Sequence, residues 1–151
     1  MTKYNIKKTR KKKAVYKTSV SPERMDAIQE MINQIIVIQK KYRDKEYSAK
    51  QLAEELGVRC HEVSATMNAR FHMSYTSFVN KYRIDEAKSI LVDGRYQDLN
   101  MEEVRAMVGF SNRQSFYSSF YKYVGITPCN YRLQQLRKYL SLIKARIAKT
   151  A

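Results

Sequence analysis

The chain has 151 residues, enough for one domain with a modest core or for two very small units sharing a helix. Its 29 Lys and Arg against 14 Asp and Glu give a formal charge of +15, which points to a polyanionic partner, nucleic acid ahead of an anionic membrane. No apolar run reaches the roughly eighteen residues that span a bilayer and no secretory core follows the basic start, so a cytoplasmic setting without membrane contact is expected. Cys60 and Cys129 lack CxxC spacing and only His61 and His72 could join them, so two reduced thiols are expected, with no metal and no cofactor.

The charge is unevenly spread. Residues 1–22 hold eight basic and no acidic residues, residues 104–151 hold nine basic and none acidic, and residues 23–103 balance 12 basic against 14 acidic. The first twenty residues are therefore expected to form a basic arm, disordered until an anion orders it, with Lys11, Lys12 and Lys13 as phosphate contacts and the stretch 7–13 a candidate to enter a minor groove; a solubilising tail is the alternative.

Ser21-Pro22 reads as an N-cap followed by Pro at the first helical position, opening a helix through about Tyr42. Its apolar stripe is Met25, Ile28, Met31, Ile32, Ile35, Ile38 and Tyr42, with Ile36 and Val37 partly off it. From residue 48 the pattern becomes short helices punctuated by glycine, and it occurs twice. Leu52, Leu56, Gly57 and Val58 correspond to Val104, Val108, Gly109 and Phe110; Val63, Met67 and Phe78 correspond to Phe116, Phe120 and Tyr131. Each copy reads as helix, Gly-containing turn, second helix, spanning about 48–72 and 100–125, with a connector helix over about 75–93 between them. No alternating apolar run predicts a strand, so the class is all-α. Residues 133–151 form a basic amphipathic helix with Leu133, Leu136, Leu140, Ile143 and Ile147 spaced alternately by three and four. Packing on the domain is the first expectation for that stripe and a homodimer contact the second, and its basic outer face is a further candidate for DNA or an anionic surface.

On the second helix of the second copy, Phe116, Phe120 and Tyr123 share one face and are assigned to the core. The opposite face carries Arg113, Gln114, Tyr117, Ser118 and Tyr121, uncharged donors and acceptors around one Arg, where an ordinary solvated face would be rich in Glu and Lys. Base edges are read by such groups, Gln pairing with adenine and Arg with guanine. Ser111 reads as the cap of this helix, placing Gln114 where a capping box would turn its side chain back onto the backbone. In the first copy Val63, Met67 and Arg70 line one side, and His61, Ser64, Ala65 and Asn68 the other. Base-contacting candidates are thus His61, Ser64, Asn68, Arg113, Gln114 and Ser118. Phosphate candidates beyond the arm are Arg105, Tyr117, Tyr121, Lys122 and Arg132.

The segment GFSNRQSFYSSFYKYVGITPCNYR, with LAEELGV and FVNKYRIDEAKSIL before it, resembles the DNA-binding domain of the AraC/XylS family of bacterial transcription regulators over roughly residues 48–132. The resemblance implies a domain over 21–132 built of two homeodomain-like helix-turn-helix subdomains. It also implies double-stranded DNA and RNA polymerase as partners, a nucleoid location, and insertion of one helix of each unit into successive major-groove turns. Matched position by position, its base contacts fall on His61, Ser64 and Ala65 and on Arg113, Gln114 and Ser118. Three departures stand out. Arg59 takes the place of a capping Ser, a loss of about 1 kcal/mol; His72 replaces a Gly; and Arg105 replaces a small Ala and is expected to turn outward toward phosphate.

Two other functions compete with sequence-specific regulation. A nucleoid-type architectural protein would use the same charge with little sequence preference. RCHEV at 59–63 faintly resembles the Pro-Cys-His-Arg-Val motif of DNA alkyltransferases, but its Pro and Arg are missing and no partner groups surround Cys60, so no enzyme is expected.

Overall fold

The computed structural model describes residues 20–150, all helices and turns with no strand among them; Lys11, Lys12 and Lys13 lie outside this range. Helix α1 (Pro22–Ile32) opens as its sequence dictates: Ser21 is extended, its Oγ accepts the Arg24 N–H at 3.2 Å, and Pro22 fills the first turn. The helix then widens into a π-turn over Asn33–Ile38, closed by Gln39 N–H donating to Gln34 O at 3.0 Å. The wider turn shifts the phase of the apolar stripe. Ile35 and Ile36 are both buried, whereas Ile38 is 66% exposed and Met31 faces solvent, contrary to a single stripe running to Tyr42. Lys40 breaks the chain in a left-handed conformation (φ 56°), and a short 3-10 turn, Lys41–Arg43, returns Tyr42 to the core.

The first unit comprises α2 (Ala49–Leu56) and α3 (Cys60–Thr66), the latter extended by a π-turn over Met67–Phe71. Ser48 and Gln51 form a reciprocal capping box and Gly57 closes α2 at φ 66°. The core here joins Ile28, Ile32, Ile35 and Ile36 to Leu52, Val63, Met67 and Phe78. The second unit comprises α5 (Met101–Val108), capped by the Asn100–Glu103 pair, and α6 (Arg113–Val124); its core joins Ile84, Ala87 and Leu91 to Val104, Val108, Phe110, Phe116 and Phe120.

Both cores share α4 (Tyr75–Val92). Phe78 and Val79 enter the first core while Ile84, Ala87 and Leu91 enter the second. At 3.6 residues per turn these two sets lie about 150° apart around the axis, so one rigid helix is clamped on opposite sides at its two ends. Three further ties hold the units. Arg83 on α4 donates to Tyr42 O at 2.6 Å and Asp44 O at 3.3 Å, and its guanidinium lies 5.6 Å from the Phe110 ring centre. Glu86 on α4 receives the Arg43 fork, with Lys40 Nζ at 3.8 Å. The carbonyls of Tyr42 and Arg43 press against Gly109, where an added Cβ would sit 2.6 and 2.5 Å from them. The turn at 40–44 is thus a wedge seated against both halves.

His72 ends the α3 extension at φ 55°, ψ 30°, a conformation that costs an L-residue with a Cβ about 1–2 kcal/mol. His72→Gly should therefore raise stability by roughly 0.5–1 kcal/mol, after the larger unfolded-state entropy of Gly is subtracted. Urea melts of the two proteins measure it; a loss of stability would mean that the imidazole makes a compensating contact.

Helix α7 spans Pro128–Thr150, starting inside the motif run and continuing without a break into the tail, instead of beginning at residue 133. Its first turns pack: Pro128 is buried and the Tyr131 ring meets Phe120 edge-on at 5.5 Å. Beyond Gln135 it stands clear. Leu136, Leu140 and Ile147 are 51%, 47% and 64% exposed, so the expected packing of this stripe on the domain does not occur. The apolar residues of α6 and α4 nearest its start are already buried against each other in the second core.

Candidate nucleic-acid interface

Helix α6 is set by Asn112, not Ser111: Asn112 is extended and its Oδ1 accepts the Ser115 N–H at 2.8 Å. The shift by one residue places Arg113 at the first helical position and Gln114 at the second, so no capping box claims the Gln114 side chain. Arg113, Gln114 and Ser118 are all exposed, directly behind Phe116 and Phe120, which are fully buried. Tyr123 does not join that core. It is 38% exposed and its hydroxyl donates to Ser77 O on α4 at 3.0 Å, while Val124 packs behind Phe120 in its place. The i, i+4, i+8 series 116, 120, 124 keeps one face, and Tyr123 becomes another tie between the units.

Arg113 has a neighbour on its own helix. Its guanidinium lies 4.8 Å from the Tyr117 ring centre, and Nη2 is 3.5 Å from the Tyr117 hydroxyl, which in turn lies 3.5 Å from Cys129 Sγ. The cation rests on the ring face, as a quadrupole attraction requires. Contact with Cys129, together with partial burial, pushes the Tyr117 phenol upward and keeps it neutral. Tyr117 is half-buried beneath Arg113, whereas Tyr121 (62% exposed) and Lys122 are open to solvent on the helix flank.

On α3, His61, Ser64 and Asn68 are exposed and Ala65 half-buried, opposite Val63 and Met67. The missing Ser at the cap is replaced by an arrangement in space. Glu62 at the third helical position accepts the Arg59 backbone N–H at 2.9 Å, and Arg24 from α1 grips the same carboxylate at 2.6 and 3.3 Å. The Arg24 hydrogen bond first, then that backbone donor, hold Glu62 at about 2 instead of 4.5. A depressed carboxyl stabilises the fold above its unfolded value and loses that contribution as pH falls toward the folded one. Glu62→Gln should accordingly melt below the parent at pH 6, and the gap should close between pH 4.5 and about 2. Thermal melts by circular dichroism across that range check it; a gap independent of pH would remove the charge from the account.

Two predicted phosphate contacts are corrected. Arg105 turns inward: its Nε bonds Glu102 at 2.8 Å and its Nη1 donates to Phe110 O, satisfying a carbonyl of the tight turn that follows α5. Arg132 also points in, donating to Leu99 O at 2.7 Å, with Nε and Nη2 buried. A guanidinium enclosed this way cannot meet phosphate without leaving its pocket. The half capping box Arg59-x-x-Glu62 was visible in sequence; Arg24, Arg83 and Tyr123 carried no local signal, because their partners lie 38 or more residues away.

Among the described residues no group of His, Cys, Asp or Glu could hold a metal, and no helix is long and apolar enough to cross a membrane.

Comparison with known proteins agrees with this geometry. A family model described as a helix-turn-helix domain matches residues 52–134. An uncharacterised HTH-type transcriptional regulator of Bacillus subtilis, YtdP, is 29% identical over 92 residues; the match takes in 61% of this chain but only 12% of that longer protein. The C-terminal domain of the two-component response regulator yesN from Fusobacterium nucleatum superposes with a TM-score of 0.60 at 26% identity, covering 71% of this chain and 98% of that one. The C-terminal domain of AraT, a response regulator from Geobacillus stearothermophilus, shares the fold at 23% identity, with a TM-score of 0.60 and coverage of 78% and 88%. Two helix-turn-helix units on a shared helix, with both second helices presenting polar faces and a family match over more than half of the residues, identify the chain as a member of the AraC-type helix-turn-helix transcription regulators, carrying that family's DNA-binding domain.

Proposed function

We propose that the chain regulates transcription, without catalysis, by reading a specific duplex site through α3 and α6, set into successive major-groove turns about 34 Å apart. The observation that carries this reading is the outward face of α6: Arg113, Gln114 and Ser118 exposed, on a helix without acidic residues, and backed by the fully buried Phe116 and Phe120. Side chains reading bases need a fixed platform, and the wedge at 40–44 with the doubly clamped α4 supplies one for both helices. Lys122 and Tyr121 on the flank of α6, with the arm residues Lys11 to Lys13, would hold phosphate. Such a chain works in the cytoplasm, on the nucleoid, with RNA polymerase as the partner whose activity it alters. Because one chain carries both recognition helices, a homodimer would extend the site but is not needed to form it.

Arg113→Ala should cost roughly 1–3 kcal/mol on a site selected from random duplexes and relax preference at one base pair, with a smaller loss on random DNA. His61→Ala should act similarly but about one helical turn away along the site. Binding is compared at one salt concentration, with folding checked by circular dichroism. Equal loss on selected and random DNA would transfer the protein to the architectural class.

A further inference from the structure

The tail of α7 is unexplained by DNA reading. The family match ends at residue 134, yet the helix continues to Thr150. Past Gln135 nearly every side chain is exposed, and an isolated helix of about fifteen residues is marginal in water. Its Leu133, Leu136, Leu140, Ile143 and Ile147 alternate by three and four, which is the seam of a two-stranded coiled coil. The flanking positions of that heptad are Arg137 and Lys144 on one side and Tyr139 and Arg146 on the other. No acidic residue occurs anywhere in 104–151.

We propose that this seam is a docking strip for an acidic amphipathic helix of another protein, one with an apolar heptad seam and Glu or Asp beside it. Charge selects that occupant. Antiparallel pairing with a second copy would set Arg137 and Lys144 against their own counterparts, and parallel pairing would set Lys144 against Tyr139 and Arg137 against position 132, whose guanidinium is turned in to Leu99 O, so neither register finds an opposite charge. DNA would take the cations but leave the leucines in water. An anionic bilayer would take both, but a helix lying in a bilayer surface presents a wide apolar face, whereas here cations stand immediately beside a seam of two positions in seven. Acidic partner flanks would instead meet Arg137, Lys144 and Arg146 across the contact while the leucines interlock.

The test uses the full chain and a labelled synthetic peptide with Leu at both seam positions and Glu at the flanks, whose own charges keep it monomeric at neutral pH. Fluorescence anisotropy should show binding. A scrambled peptide of the same composition, which reports simple attraction to the basic arm, should bind at least about tenfold more weakly, and so should the parent peptide to Leu136→Asp/Leu140→Asp. Arg137→Glu/Lys144→Glu should prefer a peptide with Lys flanks. Both leucines are exposed and outside the reading helices, so that variant should bind the selected DNA site like the parent, which keeps this test separate from the proposed DNA reading. Equal binding of the scrambled peptide overturns the proposal, as does a dimer of the parent chain that the leucine variant abolishes. Flotation of the parent with phosphatidylserine vesicles, without binding to the peptide, overturns it too.

Discussion

Phe120→Ala should destabilise the chain by about 3–5 kcal/mol and take DNA binding with it. Phe120 is fully buried between the Phe116 ring, 6.0 Å away, and the Tyr131 ring at 5.5 Å, so truncation removes an aromatic contact between α6 and α7 as well as the side chain's own burial. For a chain of this size such a loss is a large share of total stability. Phe116→Ala should behave likewise, since it is equally buried and meets Phe110 at 5.4 Å. Urea denaturation gives the number. A Phe120→Ala protein that melts like its parent would mean that α6 is rotated from the phase described, and the outward position of Arg113 and Ser118 would go with it.

Gly109→Ala should be comparably severe for a different reason. Gly109 has φ 100°, which by itself costs an L-residue about 1–2 kcal/mol, and its Cβ would sit 2.5 Å from the Arg43 carbonyl. That oxygen belongs to the wedge that Arg83 and Glu86 fix to α4, so it cannot retreat without loosening both units. A total of roughly 4 kcal/mol or more is expected. Gly57→Ala supplies the control, because Gly57 is also left-handed (φ 66°) but has nothing within 4 Å of the added Cβ; it should lose only about 1–2 kcal/mol. Equal losses at the two positions would show that the wedge yields easily. Selection of DNA sites by partly folded Gly109→Ala should also blur the spacing between half-sites, since the wedge sets one unit against the other.

The sequence by itself determined whatever depends on neighbours within a few residues. The period of the apolar positions set the phase of α6, placing Phe116 and Phe120 inside and Arg113, Gln114 and Ser118 outside. Ser21-Pro22, Ser48 with Gln51, and Asn100 with Glu103 are local caps, and the glycines at 57, 109 and 125 mark left-handed ends that few other residues adopt. The family resemblance rested on the same local spacing and agrees with the family match. Only the tertiary structure decided what depends on distant partners. It turned Arg132 inward, because Leu99 O, 33 residues away, stands where solvent was expected, whereas Arg105 turns in to partners only three and five residues off that the apolar pattern did not reveal. It moved Tyr123 out of the core to reach Ser77, and it supplied Arg24 to the helix end that lacked a capping Ser. The π-turn at 33–38 and the standing-off of α7 belong to the same class. The strength of an apolar stripe predicts that it will be covered, but what covers it, and where its helix must bend, is settled by the shape of surfaces that the rest of the chain has left free.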